Sequence, residues 1–402
     1  FTVKEGIIVS TGIPTGVIRT EKQYENFIIE LEWRHMRPAG NAGLFIWGDG
    51  MTAPGTPFAR GIEVQILDHG YVEKYEKETG QKGDSFTGHG DVFSIHGATM
   101  KPDRPHPKEW QRCLPSEFRC KPPGEWNHYR VECNHGVIKL AVNGKVVSGG
   151  TECRPRKGYL CLESEGSECH FRNIRIRELP STDPKPEEIA TLAEGFQSLY
   201  TGVDLSGWQV APGHQGHWKP ADWILDYDGK SEAEDKNLWS EKSYGNFVMI
   251  CDWRLNAQPH KVKRPVILPN GEYELNADGT IKEVDVDDAG DSGIYLRGSS
   301  KSQVNIWCWP VGSGEVYGYR TDKGQPPEVR AGVTPKVKAD KPLGQWNRFT
   351  ITMKGDRLTV VLNGQTVLEN AQLPDIAPTG PIALQHHGDS IQFANVFVRE
   401  LE

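Results

Sequence analysis

The polar side chains best placed to do chemistry lie two residues apart on predicted strands. In the segment GIEVQILD, Glu63 and Gln65 share one face of a strand, and aliphatic residues take the other face. Glu163 and Glu165 repeat this spacing in the segment LESEG. A buried polar face needs hydrogen-bond partners or a ligand, and paired carboxyl groups can act as general acid and general base. A solvated outer face is the alternative interpretation of the same spacing.

Three further polar residues lie near the first pair in sequence. Asp68 ends the GIEVQILD strand, and His89 and Asp91 follow in a glycine-containing stretch. An imidazole can serve as a base or as a ligand for a divalent metal such as zinc. An ordinary surface histidine is the alternative. We expect these residues to lie with Glu63 on the concave sheet of a sandwich.

The elements that must position these groups occur twice in the chain. GEWNHYRVECNHGVIKLAVNGKVV (124–147) parallels GQWNRFTITMKGDRLTVVLNGQTV (344–367), and CHFRNIRIREL (169–179) parallels IQFANVFVREL (391–401). This is a tandem duplication of one long domain. It predicts two domains, residues 1–180 and 195–402, joined by a linker at 181–194. Copy two begins with residues that have no counterpart in copy one, so we expect residue 1 not to be the native start.

The predicted secondary structure is almost entirely β-strand. Alternating apolar and polar residues indicate strands at 27–33, 42–47, 62–67, 128–133, 137–142, 159–164 and 171–176. Asn143-Gly144 and Asn363-Gly364 are typical of tight hairpin turns. The one predicted helix covers residues 186–196, in the linker. The pattern predicts an all-β fold of two tandem β-sandwiches.

Composition excludes some classes of protein. The 402 residues carry a formal net charge of −8 with both signs mixed, which argues against nucleic acid as a partner. No apolar run has the length of a transmembrane segment. No cysteine pair has the spacing of a zinc site. Cys113 and Cys120 are predicted either to form a disulfide or to be free thiols.

Copy two contains an additional polar stretch, residues 256–287, which we interpret as a long loop. The segment EVDVDDAGDSG (283–293) overlaps the end of this stretch and brings Asp285, Asp287 and Asp291 together in sequence. Oxygen-rich loops of this kind can hold calcium. The alternative is a solvated acidic loop without a metal.

An ordered set of motifs resembles a known protein family. The set comprises LYTGVDLSGW, NAGLFIW and DSGIYLRG, EVQILD, the Gly-x-Trp-Asn hairpin and the closing segment that ends in Arg-Glu-Leu. It is similar to the 3-keto-disaccharide hydrolase family over nearly all of both copies. The resemblance implies a concanavalin-A-like jelly-roll fold. It also implies cleavage of glycosides that carry a ketone at C3 of the sugar.

The implied chemistry needs a base, an acid and a cation or hydrogen-bond donor. A C3 ketone acidifies the C2 proton, so a base can remove it while the C1 substituent leaves, and water adds afterwards. In copy one, the candidates for catalysis are Glu63, His89 and Asp91. Their neighbours Gln65, Asp68, Glu163 and Glu165 are candidates for binding the substrate.

Copy two keeps the same frame with different polar groups. Its candidates for catalysis are Arg297, which could hold a ketone or enolate, His386 or His387 as base, and Glu315 or Tyr317 as acid. Adjacent His386 and His387 point to opposite faces, so one of them is expected to enter the site. The candidates for substrate binding in copy two are Gln303, Asn305, Trp307, Tyr317 and Gln385.

Three functions remain open at the level of sequence. The leading hypothesis is an extracytoplasmic enzyme, periplasmic or secreted, that acts on 3-keto-glycosides. The second is a non-catalytic carbohydrate-binding protein that uses the same concave faces. The third is a structural or adhesion module. The sequence does not assign catalysis to one copy, and it leaves the metal requirement and the oligomeric state open.

Overall fold

Alternating hydrophobicity sets the strands of both halves of the chain. The computed structural model of the chain describes residues 1–84, 86, 89–191 and 195–402. These form two compact units, residues 1–194 (unit 1) and 195–402 (unit 2). Every predicted strand segment falls within an observed strand, because one face of each strand can be buried while the other stays polar.

Unit 1 contains two antiparallel sheets. Its elements are β1 (Thr2–Lys4), β2 (Ile7–Ser10), β3 (Gly16–Arg19), β4 (Phe27–His35), β5 (Asn41–Gly48), β6 (Gly61–Leu67), α1 (Gly70–Thr79), β7 (His89–Ile95), β8 (Thr99–Pro102), β9 (Arg112–Cys113), β10 (Asn127–Asn134), β11 (Val137–Val142), β12 (Lys145–Arg154), β13 (Tyr159–Ser164) and β14 (Cys169–Glu178). One sheet has the order β1-β2-β14-β4-β10-β11-β12-β8, and the other has the order β3-β13-β5-β6-β7-β9.

Unit 2 repeats this arrangement with additions. Its elements are β15 (Gln197–Ser198), β16 (Trp208–Gln209), β17 (Trp218–Ala221), β18 (Ile224–Tyr227), β19 (Leu238–Tyr244), β20 (Phe247–Leu255), β21 (His260–Pro265), β22 (Glu283–Asp288), β23 (Ser292–Leu296), β24 (Ser299–Ile306), α2 (Tyr317–Arg320), α3 (Pro327–Gly332), β25 (Asn347–Lys354), β26 (Arg357–Leu362), β27 (Gln365–Gln372), β28 (Gly380–Leu384) and β29 (Ile391–Glu400). The sheets run β17-β18-β29-β20-β25-β26-β27, with β15 also on β29, and β16-β19-β28-β23-β24.

The core of each unit lies between its two sheets. In unit 1 it includes Phe27, Leu31 and Phe171 from one sheet and Val64 and Ile66 from the other, all nearly or fully buried. Face-to-face sheets with a shared apolar interior are the arrangement of a β-sandwich. The predicted all-β jelly-roll fold is therefore confirmed.

The two Asn-Gly hairpins form as predicted. Asn143 and Gly144 have φ angles of 46° and 88°, and Asn363 and Gly364 have φ angles of 52° and 82°. Two successive positive φ angles match the twist of an antiparallel ribbon. These turns connect β11 to β12 and β26 to β27.

The helix predicted over residues 186–196 is wrong for the part that the structure describes. Pro186–Glu188 forms a single 3-10 turn, and Ile189 pairs with Lys157 as an isolated bridge. Glu188 also forms an ion pair with Arg156 at 2.9 Å, which holds the segment against the sandwich. Residues 192–194 lie outside the described residues. The longest helix that the structure describes, α1, was not predicted, because its apolar positions are few.

The loop predicted over residues 256–287 is also wrong in part. β21 and β22 pair antiparallel over six residues, with Val262 opposite Val286. Lysines on β21 lie opposite aspartates on β22 and form ion pairs across the ribbon. Cross-strand pairs of opposite charge favour a ribbon that is polar on one side.

All eight cysteines are described, and each is a free thiol. Of the two states predicted for Cys113 and Cys120, the structure therefore has the free thiols. Within the described ranges, no helix is long and apolar enough to span a membrane.

A bulge in β7 decides which side chains reach the outer face of the second sheet. The register between β6 and β7 shifts between Val64 and Ile66, where Gly90 has a φ of 80°. The Tyr129 hydroxyl accepts the Gly90 N–H at 3.1 Å and donates to the Gln65 carbonyl at 2.7 Å. This buried hydroxyl therefore links the bulge to the strand that carries the candidate site.

Replacing Tyr129 with Phe should destabilise unit 1 by about 1–3 kcal/mol, since it leaves two buried backbone groups without a partner. Chemical denaturation followed by far-UV circular dichroism measures the change. Tyr75→Phe is the control, because the Tyr75 hydroxyl bonds an exposed Gln81 side chain, and we expect a change below about 0.5 kcal/mol. Equal losses in the two variants would contradict a special role for the bulge.

Candidate active site

Gly43 on β5 leaves room for two carboxyl groups on the outer face of the unit 1 sheet. A Cβ placed on residue 43 would lie 2.9 Å from Glu63 Oε1 and 2.9 Å from Glu163 Oε2. Glu63 is on β6 and Glu163 is on β13, the strands that flank β5. Both carboxyl groups are buried, with exposed fractions of 7% for Glu63 and 2% for Glu163. The missing side chain therefore lets two acids approach each other across the central strand.

A third carboxyl group joins this pair through an amide network. The Asn41 side chain donates to a carboxylate oxygen of Glu165. The Gln65 amide donates in turn to Asn41 Oδ1 at 3.0 Å. This fixes the orientation of Gln65 and keeps one oxygen of Glu165 bound to a donor.

Burial and mutual repulsion raise the pKa values of the three acids. Burial, with the nearby charge of Glu165, raises the pKa of Glu63 to about 8. Burial and the charge of Glu63 hold the pKa of Glu163 well above its ordinary value. Burial also raises the pKa of Glu165, while the hydrogen bond from Asn41 opposes the shift. Like charges in one site cannot all ionise, so the cluster holds a proton at neutral pH next to a group that can accept one.

The hydrogen bonds described for this cluster do not reach one of its carboxyl oxygens. Glu163 Oε2 is buried and has no hydrogen-bond partner among the residues that the structure describes. A buried oxygen of this kind is costly unless it is protonated or meets a ligand. It faces the space beside Gly43.

Arg112 brings a positive charge to the same face. Its Nε donates to Asp91 Oδ2 at 2.7 Å, and its guanidinium carbon lies 3.9 Å from the centre of the Phe93 ring. A weaker hydrogen bond of 3.4 Å reaches Gln65 Oε1. Asp91 therefore anchors a cation that can act on an anion bound beside Gln65.

His89 and Asp68 do not join the cluster as predicted. The bulge at Gly90 turns His89 to the core side, where its Nε2 accepts the Cys120 N–H at 3.2 Å and burial lowers its pKa to about 3. Asp68 Oδ1 accepts the N–H groups of Ala39 and Gly70. These contacts give Asp68 a role in the turn that leads into α1. The expectation that both face the concave sheet with Glu63 is therefore corrected.

Unit 2 has an amide pair where unit 1 has two acids. Gln303 on β24 and Gln385 after β28 align with Glu63 and Glu163, and Gly293 aligns with Gly43. Gln303 Nε2 donates to Gln385 Oε1 at 2.6 Å. The two amides hydrogen-bond to each other and carry no charge. The side chains at the centre of this sheet therefore cannot exchange a proton near neutral pH.

Aromatic rings flank the amide pair of unit 2 on both sides. Trp239 and Tyr295 have ring centres 5.8 Å apart. Asn305 and Trp307 continue the face that carries Gln303, and Trp307 stacks on Trp309 with ring centres 4.3 Å apart. Tyr317 meets Trp307 edge-on and is 43% exposed. Aromatic faces next to amides are well suited to the apolar faces and hydroxyl groups of a sugar ring.

The titratable groups of unit 2 lie at the edges of this face. Glu315 forms a buried ion pair with Arg320, yet burial still raises the pKa of Glu315 to about 7. Burial raises the pKa of Asp291 to about 6, with opposing effects from His387 and Asp389. His387 is half exposed and lies 3.6 Å from Asp389. The titratable side chains thus lie around this face, at Glu315, Asp291 and His387. The amide pair at its centre is neutral.

Two residues predicted for catalysis in unit 2 lie elsewhere. Arg297 is buried, and its guanidinium donates to the backbone carbonyls of Gly245, Gly355 and Ala377. These bonds give Arg297 a structural role, in which it holds three loops together. The prediction that Arg297 could hold a ketone or enolate is therefore corrected. His386 Nδ1 bonds the Tyr227 hydroxyl, whereas His387 lies beside Asp389.

The three aspartates considered for calcium do not converge. Asp285 and Asp287 form ion pairs with Lys263 and Lys261 on the ribbon, while Asp291 is buried at the edge of the concave face. Throughout the part of the chain that the structure describes, no group of three or more His, Cys, Asp or Glu side chains has the arrangement of a metal site.

Sequence reasoning missed several residues of the two faces. In unit 1 these are Asn41 and Arg112, and in unit 2 they are Arg320, Trp239 and Tyr295. Asn41 begins the motif NAGLFIW, so its place at the head of β5 is a signal that was available. Arg112 and Arg320 come from segments that do not align between the copies, so the sequence carries no comparable signal for them.

The raised pKa of Glu63 should make the stability of unit 1 depend on pH. The folded chain favours the protonated acid, so this stability is fully present below the ordinary pKa of 4.5 and is lost as the pH rises through about 8. Glu63→Gln is neutral throughout. We expect its unfolding temperature, relative to the wild type, to rise across that interval in scanning calorimetry.

Glu32→Gln is the control for this measurement. A hydrogen bond from Arg172 is the main cause that lowers the pKa of Glu32, so its stabilising effect is lost only as the solution becomes more acidic than the ordinary carboxyl pKa. Its difference from the wild type should stay constant above pH 5. A constant difference for Glu63→Gln as well would contradict the raised pKa.

Solved structures of similar fold include two candidate glycosyl hydrolases from Parabacteroides distasonis. One is 18% identical with a TM-score of 0.34 and covers 52% of this chain and 96% of its own. The other is 23% identical with a TM-score of 0.31 and covers 44% and 88%. A carbohydrate-binding module from Bacillus subtilis is 10% identical with a TM-score of 0.27, covering 40% and 81%. No curated protein matches the chain significantly.

The family comparison covers almost the whole chain. Residues 1–177 and residues 195–399 each match the signature described as the 3-keto-alpha-glucoside-1,2-lyase-like domain. The two matches correspond to units 1 and 2. The chain therefore belongs to the 3-keto-alpha-glucoside-1,2-lyase-like family and carries two tandem copies of its domain.

Proposed function

We propose that unit 1 cleaves glycosides that carry a ketone at C3 of the sugar, and that unit 2 binds carbohydrate without cleaving it. The observation that carries the first part is the cluster of Glu63, Glu163 and Glu165 beside Gly43, which combines a retained proton with a group able to accept one. Family membership supports the class of substrate.

The reaction is an elimination followed by hydration. The C3 ketone acidifies the C2–H bond, so a carboxylate removes this proton and the electron pair forms a C1=C2 double bond. The C1–O bond breaks, and the leaving oxygen takes a proton from a carboxylic acid. Water then adds across the double bond, which gives net hydrolysis. Positioned acids and bases contribute about 10²–10⁴-fold each to such steps.

The three acids divide these roles according to their surroundings. Glu165 keeps a hydrogen bond from Asn41 to its carboxylate, which favours the ionised form and suits it to act as the base. Glu63 and Glu163 repel each other and share the retained proton, so this pair supplies the acid. Arg112, held by Asp91, stabilises negative charge on the ketone oxygen as the enolate forms.

Unit 2 fits carbohydrate binding for a different reason. Its central pair is the neutral Gln303–Gln385, and aromatic rings lie on both sides. Amides and aromatic faces recognise a sugar whether or not it has been oxidised. This arrangement suits unit 2 to hold a glycan chain.

We also propose that the protein works outside the cytoplasm, in the periplasm or secreted. Polymeric or conjugated glycosides are encountered mainly there. The proposal follows from the class of substrate rather than from a targeting signal. Fractionation of cells that express the complete natural gene product tests it, and recovery with the cytoplasmic fraction would contradict it.

Cleavage of a 3-keto-disaccharide by the purified chain tests the enzymatic part. We expect product formation with the wild type and a kcat lower by about 100-fold or more in Glu165→Gln and in Glu63→Gln, because each loses a group that transfers a proton. Chromatography of the released sugar gives the rates. The measurement is repeated with a chelator present, since the sequence leaves a metal requirement open.

Glu32→Gln is the matched control, because this Glu lies on the outer face of the opposite sheet of unit 1. It should cleave at the wild-type rate. A normal rate in Glu165→Gln and Glu63→Gln, or a loss of cleavage in Gln385→Ala, would move the reaction away from unit 1. No cleavage by the wild type of any 3-keto-glucoside tried would contradict the enzymatic proposal.

Binding of unoxidised glucans tests the role of unit 2. We expect Gln385→Ala and Trp239→Ala to weaken affinity in isothermal titration, each by about 1–3 kcal/mol, through a lost hydrogen bond or a lost stacking surface. Glu63→Gln should bind as the wild type does. Equal affinity for all variants would show that these glucans bind elsewhere.

A further inference from the structure

One side of unit 1 is open where the same side of unit 2 is closed. In unit 2, β15 pairs with Phe397 and Val398 of β29, and β16 pairs with β19 of the opposite sheet. The segment of residues 195–209 thus joins the edges of both sheets. Trp208 from this segment is 2% exposed and packs in the core.

Among the residues that the structure describes, the equivalent strand of unit 1 has no such partner. β14 pairs with β2 only as far as Phe171, and in the described part of the chain its other neighbour is β4. The backbone of residues 174–178 therefore presents a free strand edge on the side where unit 2 has β15. Unpaired strand edges are templates for the addition of another strand.

Apolar side chains at this edge of unit 1 are exposed, whereas their counterparts in unit 2 are buried. Ile174 and Ile176 of β14 are 39% and 36% exposed, whereas their counterparts Val396 and Val398 are buried. On the opposite sheet, Ile18 of β3 is 37% exposed, whereas its counterpart Leu238 is buried. The difference arises because residues 195–209 cover the positions in unit 2.

A groove of about 270 Å³ lies between these two edges of unit 1. Its walls are mainly aliphatic and include Ile18, Ile174, Ile176, Leu31 and Leu160. The groove opens onto the backbone of β14 on one side and of β3 on the other. Its size suits one or two large side chains rather than a complete domain.

We propose that this groove docks an extended polypeptide segment of the type formed by residues 195–209. The segment adds antiparallel to β14 at residues 174–178, and its aromatic side chain inserts between the sheets as Trp208 does in unit 2. This is strand addition, in which main-chain hydrogen bonds give affinity and alternate side chains give specificity. The occupant is a further segment of this type, because unit 2 already holds residues 195–209.

Charge narrows the choice of occupant. Arg175 and Arg177 are exposed along the same edge of β14. A segment with an acidic residue beside this edge complements these arginines. A basic segment would be repelled. This docking site lies on the side of unit 1 between β14 and β3. Its occupation does not depend on any carbohydrate activity.

The test uses a labelled peptide with the sequence of residues 195–209 and the 402-residue chain. We expect saturable binding in fluorescence anisotropy, together with slower amide hydrogen exchange at residues 174–178 and 16–20. The chain variant Ile174→Asp with Ile176→Asp should bind at least about tenfold more weakly. We expect the fold of this variant to be retained, since both side chains are already partly exposed.

Two controls make the result specific. Val146→Asp changes an apolar residue of unit 1 that is 55% exposed on β12, and it should bind the peptide normally. Leu199, like Trp208, packs against the core of unit 2. A peptide with aspartate in place of both residues should not bind, which tests the groove without altering the chain.

Several results would overturn the proposal. They are equal binding to the double variant, no protection at residues 174–178, or binding of the peptide that lacks Leu199 and Trp208. A chain that is already dimeric, with these amides protected before any peptide is added, would mean that a second copy is the occupant. Light scattering coupled to size-exclusion chromatography detects that outcome.

Discussion

The chemistry available to this protein depends on the free energy of burying carboxyl groups next to each other. Glu63 and Glu163 meet in the space that Gly43 leaves on the central strand, and both are shielded from water. In such surroundings a carboxyl group keeps its proton at pH values well above its ordinary pKa. The same burial that destabilises the folded chain at high pH thus produces a proton donor beside a proton acceptor. Unit 2 avoids this cost with an amide pair at the same positions and loses the proton chemistry as a result.

The framework that holds these groups could be predicted from sequence because it depends on local patterns. Alternation of apolar and polar residues located the strands, and the Asn-Gly pairs located two hairpins. The same alternation placed Glu63 with Gln65 on one face correctly. The positions of Gln303 and Gln385 also followed, since the duplication aligns them with Glu63 and Glu163.

The parts that could not be predicted depend on irregular backbone and on contacts between distant residues. His89 and Asp91 are two apart and should share a face, but the bulge at Gly90 sends them to opposite faces. Arg297 aligns with a residue on a concave-sheet strand, yet backbone carbonyls from three loops bind its guanidinium. Arg112 and Arg320 complete the two faces from segments without shared motifs. None of these outcomes is encoded in a local periodicity.

The arginines also indicate what the two faces have in common. Asp91 and Glu315 align in sequence, and each binds a guanidinium, but Arg112 comes from β9 and Arg320 from α2. A buried ion pair is weak evidence for stability, because an apolar pair could fill the same volume at lower cost. Two different elements nevertheless supply a cation to acids at aligned positions. A site for negative or strongly polar groups of a ligand explains this recurrence better than packing does, and it applies to the sheet faces of unit 1 and unit 2 alike.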